Sequence, residues 1–272
     1  MLPNTDKTEG PLRTIGERFL ADGDEAICWS IDRSRYEPRE VERGRRSWIM
    51  RMLDEYRSMV SFGELFSQLT ELQAPLDVIA SASRVLKDEV RHVDLCRRMV
   101  DALGGVGGAD QEPRWVRSDP ARPLRERVLR SVVASLAIGE TASAAMIGGV
   151  RQEASDPTAR AVLTQMLSDE SFHGRFGFFA LDAIFGRRTA DEEKMLRALL
   201  PRALATVERA CVGGLGPRPG YRSSPFGSMH PDTRREIFYR CVSDRILPEL
   251  EARGLPAGSA WARRPAMTEG AS

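Results

Sequence analysis

The chain of 272 residues has only three histidines, four cysteines and three lysines (Lys7, Lys87 and Lys194). The closest pair of cysteines, Cys211 and Cys241, is 30 residues apart, and Cys28 and Cys96 are more isolated still, so there is no C-x-x-C zinc knuckle or redox motif. An excess of one charge is also lacking. Forty basic and 39 acidic side chains leave a net charge of +1, which argues against nucleic acid and anionic membrane surfaces as partners. The opening MLPNTDKTEG has no apolar signal core, and with dispersed cysteines the expected location is cytoplasmic. No flavin, nicotinamide or iron–sulfur motif is present, and no alternating β pattern of useful length. The expected fold class is therefore all-α.

Long apolar runs are scarce too, with one exception. Residues 131–150, SVVASLAIGETASAAMIGGV, carry a single charge, Glu140. By length the run could span a bilayer, but its Ala, Gly and Ser content around a central carboxylate fits a helix buried on all sides by protein. Helical periodicity predicts four long helices over about 43–73, 76–103, 122–153 and 157–185, and two more near 190–212 and 231–252. Pro75, Asp156 and Pro157 suit helix starts, and Gly104, Gly105 and Gly186 suit helix ends. Short links join helices one to two and three to four, whereas GGVGGADQEPRWVRSDPARP is long enough for a crossover between helices two and three. Residues 1–40 are expected to wrap the domain, with a short helix near Arg13–Leu20. Residues 41–253 form the helical domain, and 254–272 a flexible tail. The loop GGLGPRPGYRSSPFGSMH is expected to be either a lid or a plain connection.

Polar residues sit where these helices should be apolar. Steps of three and four through Glu170 give Leu163, Met166, Glu170, His173 and Gly177; the same steps through Glu89 give Ala82, Val85, Glu89, His92 and Cys96. Two buried seams thus carry E-x-x-H. Glu140 lies on a third seam with Val133, Leu136 and Ala144. On the first helix, Glu55 shares the apolar face with Met52, Met59 and Phe62, whereas Glu64 is nine residues on and points the other way. Hairpin spacing agrees: Glu55 to Glu89 is 34 residues, Glu140 to Glu170 is 30 and Glu64 to Glu89 only 25. The predicted set is Glu55, Glu89, His92, Glu140, Glu170 and His173. Unbalanced carboxylates at such depth are costly, and two divalent cations would neutralise four of them. Mixed His and carboxylate donors suit iron or manganese, so a di-iron or manganese–iron centre is expected.

At these residues the chain resembles the ferritin-like di-iron carboxylate superfamily. E-x32-D-E-x-x-H from Glu55 to His92, followed by E-x28-D-E-x-x-H from Glu140 to His173, is similar to the doubled motif of bacterial p-aminobenzoate N-oxygenase-type enzymes. The resemblance covers about residues 55–173. It implies a four-helix bundle with a long crossover, a non-haem di-iron oxidase or oxygenase using O2 on a small organic molecule, and an external electron donor such as a ferredoxin or reductase. It also implies that Asp88 and Asp169 hydrogen-bond the ligating histidines. Met166 stands where the N-oxygenases carry an additional histidine ligand, and Cys96 where ribonucleotide reductase small subunits carry a radical tyrosine. The alternatives are a ferroxidase that handles iron without an organic substrate, and a metal-free helical scaffold. A homodimer is among the assemblies left open.

Other residues have two readings. Cys96 reads as a small buried hydrophobe rather than a ligand, and His230 as the start of the last helix rather than a seventh ligand. The small residues around Glu140, from Gly139 to Gly149, either leave a cavity or allow close packing. Phe62, Phe66, Phe172 and Phe176 read as core, and Arg84, Arg91, Arg151 and Arg175 as solvated or paired.

Overall fold

The computed structural model describes residues 16, 17, 19, 20, 27–106, 117–214, 221 and 223–266. Helix α1 (Pro38–Glu71) begins with proline in its first turn, and the Glu40 carboxylate accepts the Glu37 N–H at 3.2 Å. Helix α2 (Leu76–Ala102) follows after a tight turn in which Gln73 adopts a positive φ of 57°. Helix α3 runs from Leu124 to Glu153, but its middle, Val132–Glu140, is π-helical. Helix α4 (Pro157–Phe185) is capped by the Asp156 carboxylate, which accepts the Ala159 N–H at 2.9 Å. Helix α5 (Ala190–Val212) starts with a Thr189/Glu192 capping box. Helix α6 has three successive stretches, Pro231–Cys241, π-helical Val242–Ile246 and Leu247–Glu251, and α7 covers Ala257–Ala262. Among the described residues there is no strand.

All six helices expected from periodicity are present, the first starting five residues early because Pro38 can occupy a first turn. Helix α1 packs on α2, α2 on α4, α4 on α3 and α3 on α1, so one apolar core lies between them. Helix α6 lies on the second half of α3, and α5 packs against both α3 and α6. Helix α3 is long and apolar enough to cross a membrane by length and composition, but 56% of its most apolar window is buried by the protein's own helices.

The close approach of α3 and α4 depends on glycine. A Cβ on Gly177 would lie 2.5 Å from the Ala137 backbone nitrogen, inside any permitted contact. Gly177→Ala is expected to cost about 1–3 kcal/mol through overpacking, read as a lower denaturation midpoint. An unchanged midpoint would show that the helices can separate freely.

Three segments needed the tertiary structure. The tail expected to be flexible from residue 254 instead contains α7, with Leu255, Ala257 and Ala260 buried and Arg264 bridging both oxygens of the Glu208 carboxylate at 2.6 and 2.8 Å. Small side chains let this short helix seat on α5, and the charge-assisted fork holds it. Residues 267–272 lie outside the described residues. Residues 223–230 are a connection rather than a lid: Phe226 is fully buried against Gly44 and edge-on to Tyr36, and the Pro225 carbonyl accepts the Ser155 and Asp156 N–H groups. Of the expected N-terminal wrap, Ile27 is buried and the Thr158 hydroxyl donates to the Cys28 carbonyl at the start of α4. Of the short helix expected near Arg13–Leu20, residues 16, 17, 19 and 20 are helical and the other four lie outside the described residues, as does the middle of the link between α2 and α3.

Candidate metal centre

Each core helix delivers its polar residues at one level. Glu55 comes from α1, Glu89 and His92 from successive turns of α2, and Glu170 and His173 from successive turns of α4. Glu140 is the last residue of the π-helical stretch of α3. The wider i→i+5 turn is rare and concentrates at functional sites. All six side chains are at least nine-tenths buried.

They form two overlapping groups. In one, single donor atoms of Glu55, Glu89, His92 and Glu170 all lie within 4.8 Å of one another; in the other, those of Glu89, Glu140, Glu170 and His173 do. Glu89 and Glu170 belong to both. His92 Nδ1 lies 3.4 Å from Glu55 Oε2 and 3.5 Å from Glu170 Oε1. His173 Nδ1 lies 3.3 Å from Glu89 Oε1, 3.4 Å from Glu140 Oε2 and 3.9 Å from Glu170 Oε2. The ring centroids are 5.9 Å apart.

The outer ring nitrogens are tied across the core. His92 Nε2 pairs with Asp169 Oδ2 at 3.2 Å, and His173 Nε2 with Asp88 Oδ2 at 3.3 Å. The aspartate of each D-E-x-x-H segment therefore holds the histidine of the other. With Nε2 used in this way, both Nδ1 atoms face inward.

The inward atoms have no hydrogen-bond partner. Both Glu89 oxygens, Glu170 Oε2, His92 Nδ1 and His173 Nδ1 are buried and unsatisfied. Buried polar groups are normally paired, and five orphans converging from two helices form a donor set that fits a Lewis acid. Burial, then the neighbouring Glu140 and Glu55 charges, pushes the Glu89 carboxyl up to about 8. Burial likewise raises Glu170 well above the carboxylate range, with Glu140 and Glu89 adding to it. For His92, burial opposes charge, but the hydrogen bond to Asp169 and the neighbouring Glu55 carboxylate outweigh it and raise the imidazole to about 10. His173 is raised in the same way, through Asp88, Glu140 and Glu89. Glu55 is burdened by burial but held below its usual value by His92.

An open cleft of about 860 Å³ reaches this cluster, with Glu170 among its lining residues. Thr141, Ala144, Ala145, Gly148 and Gly149 of α3 form one wall, Leu167, Gly174, Phe178 and Phe179 of α4 another, and Ile237, Cys241 and Arg245 of α6 a third. The small residues near Glu140 thus divide their work: Ala142 is buried in the core, while Ala144, Ala145, Gly148 and Gly149 line the cleft. The Cys241 thiol, just before the second π-helical stretch, donates at 3.5 Å to the carbonyl of Thr141, just after the first.

Residues weighed and set aside do not belong to the two donor groups. Glu64 accepts hydrogen bonds from Ser118 and Gln68. His230 caps α6, accepting the Asp232 N–H at 3.2 Å. Cys96 and Met166 are fully buried, and burial raises the Cys96 thiol. Phe62 and Phe176 are core residues, whereas the aromatic cleft wall, Phe178 and Phe179, had no distinguishing spacing. Arg91 forms a buried 2.9 Å ion pair with Asp169; its position beside a motif histidine was the only available signal.

No family model, no curated protein and no solved structure matches this chain.

Proposed function

We propose that this protein is an O2-dependent oxidoreductase with a dinuclear metal centre, iron in both positions or manganese and iron, on a ferritin-like four-helix bundle. The observation that carries the proposal is the pair of overlapping donor groups sharing Glu89 and Glu170, with their inward atoms unsatisfied. Glu55 and His92 would hold one ion and Glu140 and His173 the other, and Glu89 and Glu170, which belong to both groups, would serve both. When bound, the metal pair supplies the electrons and the Lewis acidity that reduce O2 next to a substrate.

The chain's own residues do the rest. Asp88 and Asp169 fix the imidazole tautomers and orientations. Helix burial excludes bulk water from all sides except the cleft, whose apolar α3 and α4 walls would hold a small organic molecule against Glu170. Inserting one oxygen atom into such a substrate consumes O2, two protons and two electrons and releases water. The chain carries no flavin or nicotinamide motif, so a ferredoxin or reductase would donate the electrons. The cleft favours this reading over iron handling without an organic substrate, which needs no chamber of that size.

The test is an anaerobic Fe(II) titration of the apoprotein followed by rapid mixing with O2 under spectroscopic observation. Two irons per chain and a transient visible absorbance are expected. No saturable binding would sink the proposal, and iron oxidation inside a large shell by light scattering would favour iron handling. A Cβ on Gly148 would meet nothing nearer than Leu167 Cδ1 at 3.9 Å, so a larger side chain there fills cleft rather than core. Gly148→Phe is expected to leave iron stoichiometry at two while lowering turnover of any organic substrate by more than about tenfold. Equal losses of iron and turnover would show that the cleft is not the chamber.

A further inference from the structure

The two halves of the centre have the same donors but different surroundings. Behind His92, Asp169 is neutralised by Arg91, whose side chain is 7% exposed and whose guanidinium lies 2.9 Å from Oδ2. Gln165 adds a hydrogen bond to the same oxygen at 3.4 Å. A second cation, Arg51, one turn before Glu55 on α1, also acts on that half. Behind His173, Asp88 faces Arg84, at 3.6 Å, with a side chain 53% exposed and its guanidinium 4.0 Å from the centre of the Phe172 ring. Solvent screens Arg84 far more than it screens Arg91.

An aspartate hydrogen-bonded to a ligating imidazole makes that imidazole a stronger donor, and a buried cation paired with the aspartate cancels the effect. Net positive charge behind a ligand also repels an incoming dication. Both effects weaken the Glu55/His92 position and spare the Glu140/His173 position. We infer that the centre fills in order, first at Glu140/His173 and then at Glu55/His92, with Arg91 as the residue that keeps the second ion weakly held. This inference rests on the dinuclear reading. It makes the protein mononuclear when metal is scarce and complete only when metal is plentiful, so that metal supply sets how much of it is competent.

The probe is Mn(II) alone, with anaerobic equilibrium dialysis for the two affinities and electron paramagnetic resonance to distinguish an isolated ion from a coupled pair. One equivalent is expected to give an isolated bound ion and two equivalents a coupled pair, the second ion binding at least about tenfold more weakly. Glu140→Gln is expected to remove the tight ion, whereas Glu55→Gln keeps it and loses the second. Arg91→Gln retains a hydrogen-bond donor for Asp169 but no charge, and is expected to strengthen the second ion about tenfold, while Arg84→Gln changes either affinity less than about threefold. Coupled pairs below one equivalent, or a tight ion that survives Glu140→Gln and is lost in Glu55→Gln, would overturn the order of filling while leaving two ions bound. An unchanged second affinity in folded Arg91→Gln would overturn the role of Arg91. If Arg91→Gln does not fold, the Glu55 and Glu140 variants still decide the order. Absence of any bound Mn(II) would overturn the dinuclear reading itself.

Discussion

Replacing Glu89 with leucine is expected to abolish binding of both metal ions and, at the same time, to make the apoprotein more stable. Glu89 is fully buried, belongs to both donor groups and has no hydrogen-bond partner on either oxygen. Loss of a shared ligand weakens both ions together, by more than the roughly 10- to 100-fold that follows loss of an outer partner. In the apoprotein the same side chain is a liability, because a buried carboxyl with no hydrogen-bond partner costs about 1–3 kcal/mol that an apolar side chain of similar volume does not. Its removal also relieves Glu170, which the Glu89 charge helps to push up. The measurement is thermal denaturation with and without Mn(II), together with metal content. Glu89→Leu should show a raised apoprotein midpoint and no metal-induced shift. Glu64→Leu, which alters only the hydrogen bonds to Ser118 and Gln68, should keep the wild-type shift. A Glu89→Leu protein that still binds two ions, or an apoprotein markedly less stable than wild type, would contradict the reading of Glu89 as a donor common to both groups.

The stabilisation conferred by metal is expected to grow as pH rises from 6 to 8. Glu89 has a folded value of about 8, above its unfolded one, so the folded apoprotein holds that proton more tightly and loses stability as pH rises from about 4.5 through 8. His92 is raised to about 10; its contribution is complete below about 6.5 and is lost as pH rises through 10. Both trends make the apoprotein less stable with rising pH. Metal ions need the deprotonated donors, so binding releases these protons, and each proton displaced strengthens binding by about tenfold per pH unit. The gap between loaded and apo denaturation midpoints should therefore widen across the window. Calorimetric titration of Mn(II) in two buffers of different ionisation enthalpy would count the protons released. A gap independent of pH, with no proton release, would mean that the six residues do not bind the metal.

Helix boundaries were readable because proline, asparagine-like caps and glycine act locally. Pro157 and Asp156 start a helix through their own dihedrals and side-chain oxygen, with no help from the rest of the chain. The six central residues were readable for a different reason. A carboxylate or imidazole on an otherwise apolar helical seam is conspicuous, and antiparallel geometry restricts which residues can meet across a short turn, which separated Glu55 from Glu64.

Sequence alone thus determined an all-helical chain, the helices and the six polar residues that meet in its core, because periodicity and spacing are properties of the chain itself. Tertiary structure decided what depends on neighbours distant in sequence. The π-helical turn at Val132–Glu140, where Ala137 packs against Gly177, has no local signature. The crossed pairs Asp88–His173 and Asp169–His92 span 85 and 77 residues and exist only once α2 and α4 lie side by side. Whether Arg91 is buried and Arg84 half in solvent, and whether α6 leaves a cleft over Glu170, are likewise matters of which surface each helix turns toward another. Burial sets the dielectric around a charge, and burial is a property of the assembled fold.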